Sequence, residues 1–186
     1  MDNKIRRVVT GHDGNGKSVF CSDGAPPRTA DFVHLPGLVS RLVWSTPPVP
    51  TLPVAEDPTP AVASFVPPPG ETRFVVVTLP PDAIFGHPDF DPTMAREEHL
   101  RAEPGLAETF EADSPGMHTT PTVDCGVVLE GEIWLELDDG KTVHLKRHDT
   151  FVQNGTRHAW RNKTNAPATL AVVAIGADHS KKLAAS

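Results

Sequence analysis

The chain has 186 residues, 38% hydrophobic and 22% charged, with 17 basic against 24 acidic side chains for a net charge of −7. Basic residues form no cluster beyond the Arg6-Arg7 and Lys181-Lys182 pairs, which argues against a nucleic-acid partner, and no run nears the ~20 apolar residues that span a bilayer. The 20 prolines are about double the usual ~5% share and disfavour long helices, because proline disrupts a helix interior.

The opening "MDNKIRRVV" carries no apolar leader, and Cys21 and Cys125 are too few for a disulfide scaffold. A cytoplasmic protein with reduced thiols is expected, with Cys125 in an apolar run that reads as core. "KIRRVV" (4–9) and "KSVF" (17–20) read as strands flanking Gly11-His-Asp-Gly-Asn-Gly16-Lys17-Ser18. That octet spells a phosphate-binding loop. Such a loop works by running from a strand into a helix N-terminus, and here Gly24, Pro26 and Pro27 stand where the helix would be. A β-hairpin turn is predicted, without nucleotide binding.

"VSRLVW" (39–44) is a further strand, and residues 45–71, with nine prolines, should lie extended over the surface. "TRFVVVTL" (72–79) reads as a buried strand. Asp91 as cap and Pro92 at the first helical position begin a helix that ends before Pro104-Gly105. From about residue 117 strands follow one another: "CGVVLEGEIWLELDDGKTVHLK" as two strands with turns at Glu130-Gly131 and Asp139-Gly140, then "DTFVQNGTRHAWRN" and "ATLAVVAIG". Parity places Ile133, Leu135 and Leu137 inward and Trp134 outward, where an exposed indole suggests a covered surface, a dimer interface or the Pro-rich arm. His12, His34, His87, His99 and His179 show no pairing, and His144 and His148 read as surface residues.

The chemistry concentrates in "GMHTTPTVDCGVVLEGE" (116–132) and "HDTFVQNGTRHAWRN" (148–162). The pair resembles the two motifs of the cupin family, small antiparallel jelly-roll barrels. His118 takes the place of the first motif histidine, Thr120 that of the second, Asp124 that of the glutamate and Gly131 that of the glycine. Gly155, His158 and Asn162 match the end of the second motif, while Gln153 stands where proline is usual. The resemblance covers about 72–176 and implies an all-β fold. Residues 1–71 would form an extension of strands and Pro-rich arm packed on the barrel, 72–176 the barrel itself, and 177–186 a C-terminal tail. Single-barrel relatives imply a homodimer.

His118 and Asp124 are six residues apart, so they share one strand face, yet a straight strand would separate them by about 20 Å. Sharing one ion therefore requires a bend, expected at Thr119–Thr122, with His158 arriving from a later strand across the barrel. Two imidazoles and a carboxylate would make a facial triad with open positions, favouring Fe(II) and accommodating Mn, Ni or Zn. With no metal, His118 and His158 become hydrogen-bonded pocket residues. Thr120, Phe151, Gln153 and Trp160 are expected to line the same cavity, with Ala159 and Arg161 facing outward. A metal-dependent enzyme, a dioxygenase or a lyase or isomerase, acting on a small oxygenated or aromatic compound is the expected function. A metal-free dehydratase or cyclase using His118 or His158 as base, and a non-catalytic binding module, are the alternatives.

Overall fold

The computed structural model of the protein describes residues 5–178. Of the tail expected over 177–186, residues 179–186, with His179 and the Lys181-Lys182 pair, lie outside the described residues, as do residues 1–4.

The hairpin forms as the turn chemistry predicts: β1 (Arg7–His12) pairs antiparallel with β2 (Ser18–Gly24) as a separate two-stranded sheet. The Asp13 carboxylate accepts hydrogen bonds from the amides of Asn15 (2.8 Å) and Lys17 (2.9 Å). Those are amides a phosphate loop would aim at its ligand; here an aspartate within the turn occupies them. The strand β3 (Arg28–Asp31), hidden in sequence behind Pro26-Pro27, follows instead of a helix.

Two sheets build the body. One has the order β3-β4-β5-β11-β6-β9, using β4 (Val39–Thr46), β5 (Thr72–Leu79), β6 (Thr122–Glu130), β9 (Thr150–Asn154) and β11 (Ala168–Gly176). The other has the order β10-β7-β8, using β7 (Glu132–Glu136), β8 (Thr142–Lys146) and β10 (Ala159–Arg161). All their pairings are antiparallel. The region 125–146, expected to give two strands, gives three. Gly131 at φ 73° reverses the chain between β6 and β7, and a Cβ there would press on the Pro167 carbonyl oxygen at 2.6 Å.

Alternation along the strands fills the space between the sheets. Val128, Leu170, Phe151 and Ala168 from the larger sheet meet Ile133 and Leu145 from the smaller one. Val128, Ile133, Ala168 and Leu170 are fully excluded from solvent, and each Val, Ile or Leu side chain so buried contributes about 1.5–3 kcal/mol. Gly126 lies opposite Phe151 across β6 and β9, and a side chain at 126 would collide with that ring. Cys125 is on the other face of β6 and is exposed: the expected core thiol points outward because strand parity, not the apolar run, sets its direction.

The helix α1 (Pro92–Ala102) begins as predicted, with the Asp91 carboxylate accepting from the amides of Thr93 (2.9 Å) and Met94 (3.1 Å). Ala95 packs against Phe32, Leu35 and Leu38. The Glu98 carboxylate accepts from the Val33 and His34 amides, which clamps the helix to the β3–β4 loop. The Pro-rich segment does not stay on the surface throughout. Phe65 is 6% exposed, its amide donates to the Pro104 carbonyl, and Arg28 lies over its ring at 4.9 Å. Trp134 is covered by its own strand neighbours: His144 stacks on it at 4.0 Å and Lys163 sits 5.5 Å from the ring. Among the described residues no helix is long and apolar enough to cross a membrane.

Candidate active site

A cavity of about 330 Å³ opens between the two sheets, α1 and the end of the Pro-rich segment. Its wall is mainly apolar, with His118, His158, Thr120, Asp124, His99 and Glu103 as the polar groups that matter for chemistry.

His118 lies just before β6 and His158 just before β10. Their backbones exchange two hydrogen bonds, His118 N–H to the His158 carbonyl (2.9 Å) and the reverse (3.0 Å). The two histidines are therefore direct neighbours, not residues facing each other across a barrel, and their ring centroids are 4.2 Å apart. His118 Nδ1 lies 3.1 Å from the Gly116 carbonyl oxygen and His158 Nδ1 3.0 Å from that of Thr156. A carbonyl can only accept, so His118 Nδ1 carries the proton and donates, leaving its Nε2 with a free lone pair. His158 Nδ1 meets both the Thr156 carbonyl and the Gln153 amide nitrogen (3.0 Å), and in the tautomer that donates to the carbonyl its Nε2 is likewise free. Phe110 stacks on His118 at 4.4 Å, and Trp160 meets His158 edge-on at 6.1 Å. Burial, then the neighbouring His158, pushes the His118 imidazole down to about 4, and burial lowers His158 in the same direction.

The chain does bend at 119–122, and β6 starts at Thr122. Thr120 is buried and its hydroxyl meets that of Thr122 at 2.8 Å; Thr122 in turn hydrogen-bonds the Asp124 carboxylate. The other carboxylate oxygen, Oδ1, is buried without a hydrogen-bond partner among the described residues, and burial raises the Asp124 pKa. Asp124 thus shares the cavity with both histidines but is not drawn into a cluster with them: among the described residues no group of three His, Cys, Asp or Glu is close enough to hold one metal ion. The register explains this, since Asp124 sits between Gln153 and Ala174 in the large sheet while the histidine bridge lies beyond the strand ends. The free Nε2 lone pairs suit a divalent ion as two ligands, but the donors as arranged do not fit a two-histidine, one-carboxylate triad, whose ligand atoms must all stand ~2.0–2.2 Å from the ion.

The remaining expected pocket residues divide. Trp160 lines the cavity, whereas Phe151 belongs to the core cluster and Gln153 works behind His158. The Gln153 amide donates to the Thr156 carbonyl (2.8 Å) and lies 3.0 Å from His158 Nδ1. Ala159, expected outward, has no exposed surface, because the chain around Gly116 covers that face. His144, as expected, is a surface residue, bonded to Glu132 at 2.7 Å.

The sequence reading missed His99 and Glu103. His99 Nε2 lies 2.8 Å from Glu103 Oε2, and Ser40 Oγ donates to Glu103 Oε1 at 2.5 Å. The signal was present as a His and a Glu four apart on the one predicted helix, which places both on one face.

A buried carboxylate with one oxygen unpartnered is costly. Asp124→Asn, which keeps the shape and removes the charge, is expected to stabilise the protein at neutral pH by about 1 kcal/mol. A lower melting temperature than wild type would show that the charge is compensated by a group such as a bound ion.

Parts of this chain are similar to known proteins. Residues 108–174 match the family model of the cupin domain, Cupin_2. The phomopsin biosynthesis cluster protein D of Diaporthe leptostromiformis is 55% identical over 49 residues, 26% of either chain, so this chain matches about a quarter of that relative's length. The cupin-domain-containing oxidoreductase fogC of Aspergillus ruber is 25% identical over 167 residues, 87% of this chain and 66% of that one. An RmlC-like cupin family protein of Methanocaldococcus jannaschii superposes with TM-score 0.36 at 12% identity, covering 56% of this chain and 70% of its own. The match places a cupin domain at residues 108–174, the stretch that carries the histidine bridge, β6 to β10 and most of β11, and over that stretch the chain is similar to the cupin superfamily.

Proposed function

We propose that this cupin is an enzyme that transfers protons on a compact, mainly apolar small molecule bearing oxygen substituents, with the His118–His158 pair as the acid–base group. The observation that supports this reading is the pair itself: two buried imidazoles with Nδ1 at backbone carbonyls and Nε2 unprotonated toward the cavity they line. An apolar wall keeps them unprotonated near neutral pH, so an Nε2 lone pair is available to a carbon acid, and the same desolvation makes that nitrogen a weaker base than a free imidazole. Stacking on Phe110 fixes the His118 plane, and Gln153 holds the Thr156 turn that orients His158. Asp124 Oδ1 is an acceptor for a substrate hydroxyl, and the cavity volume lies at the small end of the range for ligand sites.

A second reading, metal-dependent oxidation, draws on the two free Nε2 lone pairs and on the name of the A. ruber relative. Both readings meet in one experiment. Protein purified without an affinity tag is assayed for metal and then incubated in D2O with an aryl β-hydroxy ketone, the aldol of benzaldehyde and acetone. This probe offers an acidic C–H, two oxygens and an apolar ring. The expected result is substoichiometric metal and deuterium uptake beside the carbonyl at least ~10²-fold faster than buffer, insensitive to chelator and lost in His118→Gln and His158→Gln. Stoichiometric metal whose removal abolishes the reaction would establish the second reading instead. Retention of the probe without any exchange would make the chain a binding module.

A further inference from the structure

The geometry points to a second proton-transfer station in the same cavity, the His99–Glu103 dyad at the C-terminal end of α1, so that the chain performs elimination of water instead of simple proton exchange. This inference rests on the acid–base reading of the histidine pair.

The dyad is a built arrangement. Glu103 is 4% exposed, and its two oxygens are both engaged, one by the Ser40 hydroxyl and the other by His99 Nε2. An ionised carboxylate only accepts, so His99 Nε2 carries a proton and Nδ1 is the nitrogen left to exchange protons with a bound molecule. Phe32 holds one side of the His99 ring, edge-on at 5.6 Å. Phe110 holds another at 5.0 Å, and that same Phe110 stacks on His118. The two stations are thus separated by one phenyl ring, and all of them line one cavity. A molecule lying along the cavity edge of Phe110 meets an imidazole at each end.

The two imidazoles differ in what they can do. His118 and His158 have only neutral hydrogen-bond partners and suit the role of base. His99 has a carboxylate as partner, which compensates a positive charge on the ring, and suits the role of acid. With a β-hydroxy carbonyl compound the steps balance without any co-reactant. The C–H bond breaks and its proton passes to Nε2 of the histidine pair. The electron pair left on carbon forms the C=C bond as the C–O bond breaks. The departing oxygen takes the proton from Nδ1 of doubly protonated His99 and leaves as water. The proton on the histidine pair returns to solvent, and His99 regains one from solvent. The Ser40–Glu103 contact does not touch the substrate; Glu103 is a positioning residue and His99 the catalytic one.

The test separates the two halves. The probe ketone is followed in D2O for both uptake of deuterium beside the carbonyl and formation of the unsaturated ketone. His99→Gln is expected to form product on the order of 10²-fold more slowly while losing less than about tenfold in deuterium exchange, whereas His118→Gln loses both. Glu103→Gln, whose amide can donate to Nε2 and move the ring proton to Nδ1, should show the same split with a smaller loss. Nitrogen-15 spectra of wild-type protein read the tautomer directly and do not depend on any variant folding: His99 must carry its proton on Nε2. Product formation unaffected by both changes, or His99 protonated on Nδ1 alone, would overturn the second station while leaving the first standing. A wild type that exchanges nothing would overturn both.

Discussion

Taking the protein from about pH 7 to about pH 4 should remove about 3 kcal/mol of stability through His118 alone, with a further loss through His158. An unfolded histidine titrates near 6.5, whereas burial and the neighbouring ring push His118 in the fold down to about 4. Between those values the unfolded chain binds a proton that the folded one refuses, so unfolding is favoured as pH falls. The stabilisation is intact above about pH 6.5 and is progressively lost down to about pH 4. His158 is lowered by burial in the same direction. Asp124 acts with the opposite sign: burial raises its pKa, so its protonation favours the fold on acidification and offsets part of the loss. Glu111, held low chiefly by its hydrogen bonds from Arg157, keeps its contribution above the ordinary carboxylate range and loses it as pH falls through that range and below it. Urea midpoints at about pH 7 and about pH 4.5 measure the effect, and His118→Gln, which cannot titrate, should flatten the difference by more than half. Equal midpoints for wild type at the two values would show that the imidazole is not desolvated.

What the sequence disclosed follows from what is local. Alternation gave the strands of the second half, because one buried face per strand is written into a period of two. Asp91-Pro92 marked the helix start because cap chemistry needs only adjacent residues. The Asp13 turn was legible for the same reason. What the sequence left dark depends on neighbours far along the chain. That His118 and His158 are bridge partners follows from a pairing across forty residues, and family resemblance suggested their convergence without the adjacency. Asp124 has the right parity for the cavity and the wrong strand position to join them, a distinction that parity cannot make. Glu103 is called into the cavity by Ser40, sixty-three residues earlier, and Phe65 enters it from a stretch whose prolines signalled only extended chain.

Asn162 is the motif residue whose loss should cost the fold most, about 3 kcal/mol for Asn162→Ala. It lines the cavity and sits where a ligand contact is easily imagined, but its side chain has nothing left to offer. It is 2% exposed. Its amide nitrogen donates to the carbonyls of Leu79 (3.1 Å) and Ala166 (2.8 Å), which uses both protons. Its carbonyl oxygen accepts from the Thr164 amide (3.1 Å) and hydroxyl (2.8 Å), which uses both lone pairs. The backbone adds a reciprocal pair with Asp82: the Asn162 amide donates to the carboxylate and the Asp82 amide donates to the Asn162 carbonyl. One side chain therefore ties the end of β5 to the β10–β11 connection, and truncation strands buried donors and acceptors at about 1–3 kcal/mol each, partly relieved by water. Asn162→Asp keeps the acceptor and loses both donors, so it should be nearly as damaging. Chemical denaturation of the two variants reads the loss directly. A variant as stable as wild type but unable to exchange the probe ketone would turn this clamp into a substrate ligand, and the division between the histidines that react and the asparagine that holds the loops would have to be redrawn.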